Sequence, residues 1–159
     1  MNELNVIEAE SVSENLRLAI VLSKYNSHII DRLLKGCLST LRENGISNDS
    51  ITIVKVPGAY EIPIIVRKLV DKKMYDSIIT LGAIIKGETP HFDIIANSCS
   101  LGIINLAIDH QVPIVFGVLT VNTIQQAIDR SGEEESNKGS EAASTALEMI
   151  SVIRKIEDE

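Results

Sequence analysis

Apolar residues along this chain follow two rhythms, and the rhythms alternate. In residues 16–22, 51–56, 77–85 and 113–119, most positions are isoleucine, leucine, valine or another apolar residue, as expected of strands, and 77–85 reads as a buried one. Between these runs, apolar residues recur every three or four positions. Ile30, Leu33, Leu34, Cys37, Leu38 and Leu41 mark a helix that stops near Gly45. Ile62, Ile65, Val66, Leu69 and Val70 mark a second, with Pro63 early enough to be tolerated. Ile95, Ala96, Cys99, Ile103, Leu106 and Ala107 mark a third that ends near His110. A short helix over 123–130 and a long one over 138–155 close the chain.

Strands and helices joined by short connections predict a mainly parallel sheet with right-handed crossovers and helices on both faces, a three-layer α/β/α sandwich. In such sheets ligands bind beyond the carboxyl ends of the strands. Tyr25, the pair Tyr60 and Glu61, and the loop 86–91 all fall there, so three separate loops converge. Residues 1–15 are largely polar and read either as a tail or as an extra strand that needs a partner.

With 159 residues and 45% hydrophobic content, the chain is expected to form one domain with a full core. A formal charge of −7 without a basic run argues against nucleic-acid and anionic-membrane partners. No apolar stretch approaches the roughly 20 residues of a bilayer span, and the start lacks the features of a signal peptide, so a cytoplasmic location is expected. Cys37 and Cys99 fall on helical apolar stripes with no CxxC spacing and no histidine cluster, which reads as buried thiols rather than a metal site or a disulfide. There is no GxGxxG, no GxxxxGK[ST] and no GxSxG, and the first and third strands do not end on aspartate. The chemistry left open is acid/base chemistry with neither metal nor cofactor.

The stretch Gly82-Ala-Ile-Ile-Lys-Gly-Glu-Thr-Pro-His91 breaks from an apolar run into a polar loop and then a helix. Gly87 permits close approach of backbone N–H groups, Thr89 suits a helix cap and Pro90 the first turn. That is an anion site ending on His91, an imidazole suited to general acid/base work; the alternative is an ordinary loop with a solvated histidine. His28 and His110 read as surface residues at helix ends. The chain has three tyrosines, two phenylalanines and no tryptophan. Tyr25 and Tyr60 at strand exits, with Phe116 late in the fourth strand, suit stacking on a planar heterocycle, or else core packing. Glu61 could bind a polyol or amine, or simply complement a helix dipole. Arg130 and Lys138 bracket a loop and could hold an anion, or pair with Glu133, Glu134 and Glu135.

Taken together, Val56-Pro-Gly-Ala-Tyr-Glu-Ile62, Gly82 through Asp93, Phe116-Gly-Val-Leu-Thr120, Gln125-Gln-Ala-Ile-Asp-Arg130 and Asn137-Lys-Gly139 resemble the lumazine synthases of riboflavin biosynthesis, over residues 16–156. The resemblance implies a flavodoxin-like four-stranded sheet, with the N-terminal segment a candidate strand added to a neighbouring subunit. It also implies condensation of 5-amino-6-(D-ribitylamino)uracil with 3,4-dihydroxy-2-butanone 4-phosphate to 6,7-dimethyl-8-ribityllumazine, with release of phosphate and water. Carried over by residue, Tyr25 and Tyr60 would stack on the heterocycle, Ala59 and Glu61 bind the ribityl chain, and the backbone of Ala83, Ile84 and Ile85 meet the uracil edge. Gly87, Glu88, Thr89 and Arg130 would bind phosphate, and His91 would transfer protons. Phe116, Arg130 and Lys138 are similar to residues that a neighbouring subunit supplies.

The sequence departs from the family where Lys86 replaces a common arginine, Tyr60 a usual phenylalanine, and Glu133-Glu134-Glu135-Ser136 a less acidic stretch. The resemblance implies a homo-oligomer, a pentamer at least and, from the spacing between Arg130 and Gly139, a shell of twelve pentamers that could enclose riboflavin synthase. Two other readings stay open: a catalytically silent flavin- or lumazine-binding protein on this scaffold, and a shell-forming structural protein. The joint presence of His91, Thr89 and Arg130 favours the enzyme.

Overall fold

The computed structural model describes residues 4–12, 15–133 and 136–159. The apolar runs become the parallel strands β1 (Leu18–Ser23), β2 (Ile51–Val56), β3 (Ser77–Ile85) and β4 (Ile114–Val121), in the order β2-β1-β3-β4. Leu18 lies beside Ile51 on one side and Ser77 on the other, and Ile78 lies beside Ile114. This is a flavodoxin-like order, in which the winding direction reverses between β1 and β3 and opens a crevice at their carboxyl ends. All of β1, and all of β3 but Ile85, is buried, as central strands covered on both faces must be.

Helices α1 (Ser27–Glu43), α2 (Ile62–Val70), α3 (His91–His110), α4 (Ile124–Arg130) and α5 (Lys138–Glu157) form the outer layers. Alternation along β1 divides the core in two. Leu18, Ile20 and Leu22 pack with Leu33, Cys37 and Leu41 of α1 and with Ala143, Ala146 and Ile150 of α5. Ala19 and Val21 face the other way, toward Ile62 and Val66 of α2 and Cys99 and Ile103 of α3. Each large aliphatic side chain so enclosed contributes about 1.5–3 kcal/mol relative to exposure. Pro63 sits in the first turn of α2, where its missing N–H costs nothing. Helices α1 and α5 cross closely because Gly139 has no side chain: a Cβ there would overlap the Leu33 carbonyl.

Cys37 and Cys99 are buried, one in each half of the core. Burial pushes their thiols up to about 12 and about 11, so both are unreactive at neutral pH.

Several boundaries differ from expectation. The first strand begins at Leu18 rather than Leu16, because Arg17 is held by a side chain instead of a ladder: its N–H donates to Asp76 Oδ2 at 2.7 Å, and Arg154 Nη2 donates to Asp76 Oδ1 at 2.9 Å. The fourth strand continues to Val121, which pairs with Ile85, so Phe116 lies early in it rather than late. Of the N-terminal segment, residues 4–12 form no strand. The Glu10 N–H donates to Ser151 Oγ at 2.8 Å, Lys155 pairs with Glu10 at 2.7 Å, and Asn5 donates to Glu159 at 2.9 Å, which lays the segment along α5. The rest of the expected tail, 1–3 and 13–14, lies outside the described residues.

The expectation that no stretch is long and apolar enough to cross a membrane is also corrected, since α3 meets both conditions with 20 residues and a mean hydropathy of 1.3. It buries Cys99 and Ile103 against the sheet while Ile94, Leu101, Ile104 and Ile108 stay exposed. Both faces of the helix are therefore apolar, which is what raises its hydropathy.

Candidate active site

The crevice at the ends of β1 and β3 is a cleft of about 410 Å³. Its walls gather Tyr25, Ala59, Tyr60, Glu61, Ala83, Ile84, Ile85 and His91, residues that lie far apart in the chain. Tyr25 follows β1 and is 68% exposed, and Tyr60, in the single turn of tighter helix Ala59–Glu61 after β2, is 59% exposed. Rings left this open are not core residues; they are free faces at the rim of a cleft. The Gly58 N–H donates to Glu61 Oε2 at 2.9 Å, so this carboxylate does close the turn while also lining the cleft.

His91 is the first residue of α3 and is exposed. Pro90 occupies the capping position and no side chain caps the helix, which corrects the expectation that Thr89 would do so: Thr89 stands one residue too early. The N–H groups of the first turn of α3 therefore lack a side-chain acceptor beside His91. Gly87, Glu88 and Thr89 lie in the exposed loop between β3 and α3. A Cβ on Gly87 would meet nothing within 4 Å, so the fold itself does not require glycine there. What glycine leaves is open space next to the loop backbone.

Phe116, Arg130 and Lys138 lie elsewhere. They line a second concavity of about 900 Å³ that runs along β4 between α3 and α5, floored by β4 itself and walled by apolar residues such as Ile104, Ile108, Met149 and Ile153. Phe116 is 40% exposed there. Arg130 ends α4, with Nη1 donating to the Gln126 carbonyl at 3.2 Å, and Lys138 begins α5 paired with Glu141. The larger concavity is thus an apolar groove at a sheet edge, while the smaller one has the polar groups that chemistry needs.

Asn137 organises the connection between these two cations. Its Nδ2 donates to the carbonyls of Arg32 at 3.0 Å and Gly132 at 2.8 Å, while its Oδ1 accepts from the N–H groups of Gly139 at 2.8 Å and Ser140 at 3.2 Å. Arg32 adds a bond from Nε to the Ser131 carbonyl at 2.8 Å. One buried amide thus caps α5 and ties the connection after α4 to α1. Of the three glutamates between Arg130 and Lys138, Glu133 is exposed and Glu134 and Glu135 lie outside the described residues.

Sequence reasoning missed Ser23 and Asn26, which also line the cleft. Asn26 adopts a left-handed backbone (φ 59°) at the start of α1 and sends Nδ2 to the Ala83 carbonyl at 3.1 Å, bridging the two strands that flank the crevice. An asparagine in a strand-to-helix turn was the available signal, since it tolerates that conformation. His28 and His110 sit at helix ends, away from the cleft lining, as expected. The cleft can hold a planar ring between aromatic faces, present backbone groups to its edge and offer an imidazole for proton transfer. The family model described as 6,7-dimethyl-8-ribityllumazine synthase matches residues 15–154 of the chain.

Proposed function

This chain belongs to the 6,7-dimethyl-8-ribityllumazine synthase family of transferase-type enzymes in riboflavin biosynthesis, and from that premise we propose that it condenses 5-amino-6-(D-ribitylamino)uracil with 3,4-dihydroxy-2-butanone 4-phosphate. The observation that carries this reading is the convergence of Tyr25, Tyr60, Glu61, the Ala83 to Ile85 backbone and His91 on one cleft. The uracil ring stacks on the tyrosines, its edge meets the backbone at the end of β3, and the ribityl chain runs toward Ala59 and Glu61. Gly87, Glu88 and Thr89 take the phosphate beside the start of α3.

The uracil amine attacks the ketone carbon and water leaves, giving an imine. His91 accepts and returns the protons that this step and the elimination of phosphate require. Arg130 and Thr89 stabilise the charge on the departing phosphate. The enol left behind tautomerises to a carbonyl, the ribitylamino nitrogen attacks it within the same bound molecule, and loss of water closes the ring.

Arg130, Lys138 and Phe116 act on the cleft of a neighbouring copy. Support comes from their position in the apolar groove along the outer edge of β4, which among the described residues no strand covers. The enzyme is then a cytoplasmic homo-oligomer, a pentamer at least, with a shell of pentamers that can enclose riboflavin synthase as the larger form. Mixing the purified protein with both substrates should generate lumazine fluorescence with equimolar phosphate release; binding without turnover would leave a silent lumazine-binding protein instead.

A further inference from the structure

We propose that the Ser23 hydroxyl is a specificity-determining group of the cleft, reading a hydrogen-bonding edge of the planar heterocycle; this rests on the reading of the cleft given above. Ser23 is the last residue of β1, the strand that borders the crevice. Because Leu18, Ile20 and Leu22 point into the α1 and α5 side of the core, alternation turns Ser23 to the opposite side, the one covered by the helix that begins with His91.

Ser23 is only 1% exposed, yet it lines the cleft. Its Oγ makes no hydrogen bond to any described residue, and among those residues no fully enclosed side-chain oxygen is without a partner. The hydroxyl therefore keeps its small opening toward the cleft. The amide of Asn26, which also lines the cleft, donates to the Ala83 carbonyl instead. The space beside the hydroxyl is kept free by Gly82, where a Cβ would come within 3.2 Å of Ser23 Oγ and 3.1 Å of Val118.

A hydroxyl is both donor and acceptor, and one nearly removed from water without a partner carries a desolvation cost. A ring that presents an N–H or a carbonyl at this depth completes it. A ring of the same shape with an apolar edge leaves the hydroxyl unpaired, and a polar site rejects such a ligand more strongly than an apolar site does.

The test is calorimetric titration of the assembled full-length protein with 5-amino-6-(D-ribitylamino)uracil and, separately, with inorganic phosphate. Ser23→Ala should raise Kd for the uracil compound roughly five- to tenfold while leaving Kd for phosphate unchanged. Ser23→Cys, which keeps the size and offers a weak donor, should fall between. In turnover the effect should sit in KM for the uracil compound, with kcat nearly constant. An unchanged Kd in Ser23→Ala, or an equal loss for both ligands, overturns the proposal. If the unaltered protein itself does not bind the uracil compound, the heterocycle reading of the cleft has failed, a result visible before any variant is made.

Discussion

The two concavities of this molecule differ in a way that volume alone misrepresents. The groove along β4 is about twice the size of the cleft at the strand ends, about 900 against about 410 Å³. Its walls are apolar side chains, and its cations stand where α4 ends and α5 begins. The cleft is bounded by the ends of β1 and β3, with backbone groups and short polar contacts such as Asn26 to Ala83 and Gly58 to Glu61 holding its shape. Among the described residues that line it, none is lysine or arginine. The cleft thus has an acid/base group and no cation, and the groove has cations and no imidazole. Each lacks what the other offers, the division that the site proposed above, shared between neighbouring copies, requires.

The largest effect should come from the cleft. His91→Ala removes the only imidazole among the described residues of its lining, and kcat for lumazine formation should fall roughly 10²-fold at neutral pH, the usual range for a general acid/base group. Part of the reaction survives, because a condensation between substrates already held together keeps its proximity advantage. Steady-state fluorescence with saturating substrates measures this, and an unchanged kcat would move proton transfer away from the cleft and break the division of labour.

The groove half should fail differently. Asn137→Ala removes an α5 cap and the bonds to Arg32 and Gly132, and about 2 kcal/mol of stability should go with them. Urea unfolding gives that number. The sharper readout is the contrast between ligands: with the connection between Arg130 and Lys138 no longer tied to α1, KM for the phosphate substrate should rise while Kd for the uracil compound in the cleft stays the same. Equal losses for the two would mean that groove and cleft are one mechanical unit.

How much of this was readable beforehand depended on whether a residue's role is local. The strand Ser77–Ile85 was legible to its last residue because apolar residues dominate it up to the charged Lys86, and Thr80, the one polar residue inside it, is buried with its hydroxyl donating to the Val115 carbonyl at 2.7 Å. The end of β4 was not, since Thr120 is exposed on an edge strand and interrupts the run before Val121. The inward stripe of α3 was legible in outline, but its outer face is apolar too, so periodicity could not say that Cys99 and Ile103 alone would be fully enclosed. Tyr25, Tyr60, Glu61 and His91 announced themselves by lying at strand exits. Ser23 and Asn26 did not, because one owes its place to the burial of a whole strand end and the other to a carbonyl 57 residues away. The separation of Arg130 and Lys138 from the cleft is likewise set by how α4 and α5 pack, which no local pattern encodes.

The smallest predicted effect concerns Tyr60, where the family usually has phenylalanine. Its side chain is 59% exposed at the cleft rim, and its hydroxyl makes no hydrogen bond to a described residue, unlike the hydroxyl of Tyr75, which reaches Thr52 Oγ1 at 3.2 Å. A phenol already in water gains and loses little when a ligand arrives, so its contribution to binding is the ring face, and that face is the same in phenylalanine. Tyr60→Phe should therefore change Kd for the uracil compound less than about twofold, within the usual spread for surface substitutions. Tyr60→Ala, which removes the face itself, should weaken binding several-fold more. Calorimetry on the two variants side by side separates ring from hydroxyl. A loss in Tyr60→Phe as large as that in Tyr60→Ala would show that the hydroxyl finds a partner only in the assembled molecule, and would bring the boundary between cleft and neighbouring groove up to Tyr60.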